Sequence, residues 1–130
     1  MRTKVLITGV YGLIGNVVYR QLMEAPTKYD VYGLARRRHS SDRIAESDLQ
    51  VVPEDHFFLA DLTDFEGVKR AVSDRDVVVH LAADPSGMSG WESLMNSNLV
   101  GAYHVFEAGR LASVKRVVFA SSNHAVGFYR

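Results

Sequence analysis

The chain has 130 residues, of which 47% are hydrophobic and 23% are charged, a balance typical of one soluble globular domain. Lys and Arg total 15, and Asp and Glu also total 15, so neither nucleic acid nor an anionic membrane is electrostatically favoured as a partner. The absence of cysteine excludes a disulfide framework, a thiolate nucleophile and a cysteine metal site. No apolar run has the length of a secretion signal or a membrane span, so we expect a cytoplasmic protein.

Short apolar runs alternate along the chain with segments of helical periodicity. Strands are predicted at residues 5–7, 31–35, 57–60, 77–81 and 117–120, and helices at residues 13–25, 63–72 and 91–112. Between the second and third strands, residues 36–50 are polar and charged and predict a long surface loop. Repeated strand–helix–strand units indicate an α/β fold, a Rossmann-type doubly wound parallel sheet in three layers. We predict one domain over residues 1–130, with its sheet cut short after the fifth strand.

The sequence indicates where the second predicted helix begins and which side of the third predicted helix is apolar. Thr63, followed three residues later by Glu66, has the pattern of a capping box and predicts that Thr63 caps the second helix. The third helix carries an apolar stripe, most of which is expected to cover the sheet; its members are Leu94, Asn98, Leu99, Ala102, Val105, Phe106 and Gly109. Tyr103 and Phe106 extend that stripe onto a second face of the helix.

A glycine-rich loop joins the first strand to the first helix. Its sequence is Thr-Gly-Val-Tyr-Gly-Leu-Ile-Gly, from Thr8 to Gly15. Gly9 permits a tight turn, Gly12 lets a pyrophosphate approach the backbone, and Gly15 lets the helix pack closely on the strand. The loop could be a turn that only packs, but its place between a strand and a helix favours dinucleotide binding. The residues predicted to contact the cofactor here are Gly9, Tyr11, Gly12, Leu13 and Ile14.

The residues after the second strand bear on the choice between NAD and NADP. A carboxylate there would bind the ribose 2′-hydroxyl of NAD, but this chain has Arg36 and Arg37, with no carboxylate before Asp42. Because arginine offers a planar fork of donors suited to a phosphate, we favour NADP over NAD and predict Arg36 and Arg37 as its contacts. A solvated basic loop, and NAD as the cofactor, remain the alternatives.

A carboxylate follows the third predicted strand. Asp61 lies at its carboxyl end, next to Leu62, where ligands of open α/β sheets gather. Its side chain could accept a hydrogen bond from an adenine amino group, and it could equally cap the turn that follows. His80, within the apolar fourth strand, is expected to be a satisfied core histidine rather than a base, and no His and carboxylate spacing indicates a metal site.

Taken together, these motifs resemble those of extended short-chain dehydrogenase/reductases, the NAD-dependent epimerase/dehydratase family. The glycine loop fits the family pattern TGxxGxxG, and a HLAA motif begins at His80. A serine pair ends at Ser122 in the fifth strand. The resemblance implies a homodimer through the helix at 91–112. It also implies cofactor contacts from Asp61, Leu62, Leu81, Ala82, Ala83 and Asn98.

Within this family, residues 119–129 are most similar to uronate dehydrogenases, which oxidise a sugar acid with NAD. That resemblance implies that Ser122 is catalytic and hydrogen-bonds the reacting hydroxyl, while Ser122, Asn123 and His124 bind the substrate. It implies an oxidoreductase or epimerase acting on a sugar or sugar-acid hydroxyl. Arg36 departs from the pattern, because uronate dehydrogenases usually carry an acidic residue at that position.

The family's Tyr-x-x-x-Lys catalytic pair does not follow Ser122. Tyr129 cannot supply it, because no lysine comes after it. Hydride transfer needs a general base for the hydroxyl proton, and the lysine lowers the pKa of that tyrosine. We therefore expect this chain alone to bind cofactor weakly and to be inactive, with its substrate-binding part absent. The alternative functions are a non-catalytic NADP-binding regulatory or redox-sensing module, and an inactive fragment.

Overall fold

The computed structural model describes residues 1–122, and its sheet has five parallel strands in the order β3-β2-β1-β4-β5. The strands are β1 (Thr3–Thr8), β2 (Tyr29–Ala35), β3 (Phe57–Leu59), β4 (Val77–His80) and β5 (Arg116–Phe119). The helices are α1 (Leu13–Met23), α2 (Phe65–Val72), α3 (Trp91–Leu94) and α4 (Gly101–Leu111). The predicted Rossmann-type parallel sheet is confirmed, with element ends shifted by one or two residues.

Two hydrophobic cores lie on opposite faces of the sheet. Successive side chains of a strand point to opposite faces, and β1 shows this directly. Leu6 belongs to the core that contains residues of α2 and α4. Ile7 belongs to the core that contains Tyr11 and, from α1, Tyr19. Helices therefore cover both faces, which gives the three predicted layers.

The strand order reverses at β1, whose two neighbours are β2 and β4. Val5 of β1 is in register with Val31 of β2, and Thr8 is in register with His80 of β4. In open α/β sheets the crevice outside the carboxyl ends of the strands, at such a reversal, is where ligands bind. The glycine loop leaves β1 at this point.

The start of α2 differs from the sequence prediction. Asp64, rather than Thr63, is the capping residue, and its carboxylate accepts a hydrogen bond of 3.1 Å from the backbone N–H of Gly67. The Thr63 hydroxyl instead donates to Asp61 over 2.8 Å. Both residues are good helix caps, and in the structure Thr63 binds Asp61 while Asp64 caps the helix.

The third predicted helix is interrupted by a π-helical segment, Met95–Val100, between α3 and α4. A π-helical turn holds more residues than an α-helical turn. A stripe of side chains with a period of 3.6 residues therefore does not stay on one face of the helix through this segment. Leu99 departs from the predicted stripe, because it is 58% exposed. Val105 and Gly109 of that stripe are buried, together with Gly101 and Ala108.

A cluster of one histidine and two carboxylates lies at the amino ends of β2 and β3, whereas the glycine loop lies at the carboxyl end of β1. The His56 ring places Nδ1 2.9 Å from the Asp55 carboxylate and Nε2 3.1 Å from the Asp30 carboxylate. The ring also stacks on Tyr32, with 4.5 Å between ring centres. The hydrogen bond to Asp55 is the largest cause that raises the pKa of His56.

Candidate dinucleotide-binding site

The glycine loop is packed tightly against its surroundings. Gly9 has a φ of 72°, and a Cβ there would lie 3.0 Å from the backbone of Ala82. A Cβ on Gly15 would lie 2.0 Å from the carbonyl oxygen of Gly9. Neither position therefore accommodates a side chain, so the loop holds α1 close to β1 and to the end of β4.

The N-terminus of α1 is open to a ligand. Gly12 is the capping residue, and no side chain within the described part of the chain caps this helix. The first N–H groups of a helix have no partner inside it and attract anions. Leu13 and Ile14 provide the first two of these groups, and their contact with a pyrophosphate stays a prediction.

An open cleft of about 480 Å³ lies over the glycine loop and the carboxyl ends of the strands. The predicted residues that line it are Gly9, Tyr11, Gly12, Arg36, Arg37, Asp61, Leu62, Ala82 and Ala83. The lining residues that the sequence did not indicate are Leu34, Ala35, His39, Ser40, Ser41, Asp42, Ala60 and Ser97. The cleft thus brings together the ends of β2, β3 and β4.

The cations after β2 differ in what they contact. Arg38 forms a bidentate ion pair with Glu54, with 2.7 Å between Nη2 and Oε1, and its guanidinium lies 4.7 Å from the ring centre of Phe57. In contrast, neither Arg36 nor Arg37 forms a side-chain hydrogen bond or ion pair within residues 1–122, and both line the cleft. Two guanidinium groups are therefore available to a ligand.

Asp61 has the turn-capping contact that was one of its two expected roles. One carboxylate oxygen accepts from the backbone N–H of Thr63 at 2.9 Å and from its hydroxyl at 2.8 Å. The backbone bond from Thr63, then the Thr63 hydroxyl and the charge of Arg36, lower the pKa of Asp61. Both of these hydrogen bonds use Oδ1 of Asp61. Asp61 also lines the cleft, and its contact with an adenine stays a prediction.

Asn98 does not line the cleft, and its side chain has another partner. Its Oδ1 accepts from the backbone N–H of Asp84 at 2.7 Å, and its Nδ2 donates to the Asp84 carbonyl at 3.1 Å. Asn98 therefore fixes the chain just after the HLAA motif, and its cofactor contact stays a prediction. Leu13, Ile14 and Leu81 are also outside the cleft lining.

Asp84, which the sequence did not indicate, organises the loop after β4. Its carboxylate accepts from the hydroxyls of Ser89 at 2.6 Å and Ser93 at 2.5 Å, and from the Ser86 N–H at 3.0 Å. These bonds, with that of Ser89 the largest cause, lower the pKa of Asp84 to about 2. The loop is thus held by an ionised carboxylate at neutral pH.

Thr8 and His80 join the ends of β1 and β4 inside the protein. The Thr8 hydroxyl oxygen accepts from the backbone N–H groups of Leu81 at 3.1 Å and Ala82 at 3.2 Å. Its own proton is therefore donated to His80 Nδ1, which is 2.6 Å away. Burial lowers the pKa of His80 to about 4, so the ring is neutral at pH 7 and buried, as expected of a core histidine.

The loop between β2 and β3 is anchored to the glycine loop through Tyr11. The Tyr11 carbonyl oxygen accepts a hydrogen bond of 2.9 Å from the backbone N–H of Ser41. The hydroxyl oxygen of Tyr11 accepts one of 3.2 Å from the backbone N–H of Val52. Asn16 of α1 donates to the Asp48 carbonyl at 3.0 Å. The polar segment that the sequence presented as a surface loop therefore forms a fixed wall of the cleft.

The predicted substrate residues lie at the end of the described chain. Ser122 is exposed just beyond β5, at the same carboxyl edge of the sheet as the glycine loop, but it does not line the cleft. Asn123 and His124 lie outside the described residues. Among residues 1–122, no group of three or more His, Asp and Glu side chains is placed to hold a metal ion, and no helix is long and apolar enough to cross a membrane.

Comparison with known proteins gives the relationships of the chain. It is 35% identical to the NAD-dependent glucose-6-phosphate dehydrogenase of Haloferax volcanii, over 99% of this chain and 47% of that protein. It is 33% identical to the uronate dehydrogenase of Pseudomonas putida, over 98% of this chain and 43% of that protein. The chain therefore spans less than half the length of these curated relatives.

A solved structure shows the same fold. The crystal structure of a mutant uronate dehydrogenase from Agrobacterium tumefaciens, complexed with NAD, matches with a TM-score of 0.76 and 28% identity, over 95% of this chain and 42% of that one. The model of the NAD dependent epimerase/dehydratase family matches residues 5–129. The family resemblance drawn from the motifs is thereby confirmed: the chain belongs to the NAD dependent epimerase/dehydratase family.

Proposed function

We propose that the chain binds NADP in preference to NAD, as the nucleotide-binding part of an oxidoreductase or epimerase acting on a sugar or sugar-acid hydroxyl. The observation that carries this proposal is the pair Arg36 and Arg37. Both line the cleft directly after β2, where an acidic residue would instead bind the ribose 2′-hydroxyl of NAD.

The two arginines supply positive charge for a phosphate at this place. Both line the cleft, and neither forms a side-chain hydrogen bond or ion pair within residues 1–122. The first carboxylate after β2, Asp42, is 3.2 Å from His39 Nε2. A 2′-phosphate would give the guanidinium groups a bidentate acceptor that they do not have within the described chain.

Titration of the purified protein with NADPH and NADH tests the proposal. We expect NADPH to bind more tightly, and Arg36→Ala to weaken NADPH binding by roughly tenfold or more, as for a lost hydrogen bond between charged groups. NADH binding should change little. Arg43→Ala is the matched control, because Arg43 carries the same charge in the same loop but does not line the cleft. Equal affinities for the two nucleotides in the unchanged protein would refute the preference.

For the chemistry, we propose that Ser122 hydrogen-bonds the reacting hydroxyl and that Asn123 and His124 hold the substrate. The position of Ser122 at the carboxyl edge of the sheet supports this role. No Tyr-x-x-x-Lys pair follows Ser122 in the 130 residues, so we expect no oxidation of uronates or aldoses by this chain with either nucleotide. Nucleotide reduction at a rate typical of enzymes would refute that expectation.

We also propose a homodimer through α4. Tyr103 and Phe106 lie three residues apart on this helix and are 65% and 43% exposed. Residues three apart share one face of a helix, and exposed aromatic side chains are enriched at protein interfaces. A symmetric pair of such helices would bury them.

A further inference from the structure

We propose that Ser40 and Ser41 complete a phosphate-binding site with Arg36 and Arg37, their hydroxyls donating to the 2′-phosphate of NADP. This inference rests on the proposed NADP preference and extends it to two residues that the sequence did not indicate. All four residues line the same cleft, and they lie within one stretch of six residues.

Ser41 has a hydroxyl proton to give and a fixed position. Its oxygen accepts from the backbone N–H of Arg43 at 3.3 Å, and this bond leaves the hydroxyl proton uncommitted. The backbone N–H of Ser41 donates to the Tyr11 carbonyl at 2.9 Å. These two bonds fix the position of Ser41 next to the glycine loop. A fixed position is what a donor to a small rigid anion requires.

Ser40 adds a second hydroxyl next to it. Within residues 1–122 its side chain forms no hydrogen bond, and it is partly buried in the cleft wall. A partly buried polar group is most stable with a partner. A phosphate offers several strong acceptor oxygens to hydroxyl and guanidinium donors at once.

Within residues 36–42 the one carboxylate, that of Asp42, is outnumbered by the charges of Arg36 and Arg37. Asp42 also lines the cleft, and a free carboxylate there would repel a phosphate. Its carboxylate is 3.2 Å from His39 Nε2, which gives it a hydrogen-bond partner on the wall itself. The wall over residues 36–42 therefore presents more donors than acceptors to the cleft.

Two nucleotides that differ only by the 2′-phosphate test this inference, namely adenosine 2′,5′-bisphosphate and 5′-AMP. We expect Ser40→Ala and Ser41→Ala each to weaken binding of the bisphosphate by roughly tenfold, as for one lost bond to a charged acceptor. Binding of 5′-AMP should change less than twofold. Ser47→Ala is the control, because Ser47 lies in the same loop but does not line the cleft.

The outcomes distinguish the assignment of Ser40 and Ser41 from the proposed preference for NADP. If Arg36→Ala abolishes the preference for the bisphosphate while both serine variants retain it, the serine assignment is overturned and the NADP proposal stands. If the unchanged protein binds both nucleotides equally, both fail. Because Ser41→Ala also removes the acceptor of the Arg43 N–H, Ser41→Thr is expected to restore bisphosphate binding. Equal losses for both nucleotides in Ser41→Ala would show a purely structural role and overturn its assignment.

Discussion

Gly15→Ala separates helix propensity from the packing of the glycine loop. Alanine in place of glycine ordinarily stabilises a helix by about 1 kcal/mol, and Gly15 lies in the first turn of α1. Here the new Cβ would lie 2.0 Å from the Gly9 carbonyl oxygen, 2.8 Å from the Gly9 carbonyl carbon and 3.0 Å from Val10 Cα. All three atoms belong to the backbone, so no side-chain rotation relieves the contacts.

The size of the effect follows from what would have to move. Separating the Cβ from the Gly9 oxygen requires α1 or the turn to shift by about 1 Å. The turn is held by a 2.8 Å bond from the Gly9 N–H to the Leu34 carbonyl. Overpacking of this kind costs about 3 kcal/mol. After the gain in helix propensity, we expect the free energy of unfolding to fall by about 2 kcal/mol, which lowers Tm by roughly 8 °C.

Urea unfolding followed by circular dichroism measures this change, and Gly12→Ala is the matched control. Gly12 has a φ of −73° and a ψ of 169°, an extended conformation that alanine adopts freely, and its Cβ would lie 3.2 Å from the Gly9 oxygen. We expect Gly12→Ala to change stability by less than about 1 kcal/mol and to weaken NADPH binding, because the pyrophosphate approaches there. A Gly15→Ala protein more stable than the parent would refute the reasoning.

Three further predictions concern stability and assembly. Because its bond to Asp55 raises the folded-state pKa of His56 above the ordinary 6.5, this histidine stabilises the fold below about pH 6.5. That stabilisation is lost as pH rises through the raised pKa, so His56→Gln should flatten this part of a Tm-against-pH curve. Asp64→Ala should lower the free energy of unfolding by about 1 kcal/mol, since its bond to the Gly67 N–H is lost. Phe106→Glu should shift the protein from dimer to monomer in sedimentation velocity.

Each of these has an outcome that contradicts it. An unchanged pH dependence in the His56 variant would show that other groups set it. If Thr63→Ala costs more stability than Asp64→Ala, the capping role belongs to Thr63 after all. A monomeric parent protein at micromolar concentration would remove the basis for the proposed dimer.

Local signals made the fold and the glycine loop predictable from the sequence. β-branched runs such as residues 77–79 mark buried parallel strands, and glycines at fixed spacing mark a turn into a helix. The capping-box pattern names the wrong residue for α2, because adjacent Thr63 and Asp64 both suit the position. The sequence also offers Asp61 as the cap of the preceding turn, but it does not show that this contact takes the Thr63 hydroxyl.

Contacts between distant residues account for what the sequence did not indicate. The Asn98 side chain binds the backbone of Asp84, 14 positions earlier, and a motif names only one partner of such a pair. Likewise, Ser97 reaches the cleft from within a π-helical segment that interrupts the regular helical period. Composition indicated that residues 36–50 are polar, but it contained no sign of where they are attached.

The attachment of that segment to Tyr11 has a thermodynamic consequence. A loop that closes over a nucleotide from a disordered state loses conformational entropy in doing so, and this opposes association. Here the bonds from Ser41 and Val52 to Tyr11 hold the wall in place before any ligand arrives. Nucleotide binding should therefore proceed in one kinetic phase, with an observed rate that rises linearly with nucleotide concentration, rather than in two phases limited by the ordering of a loop.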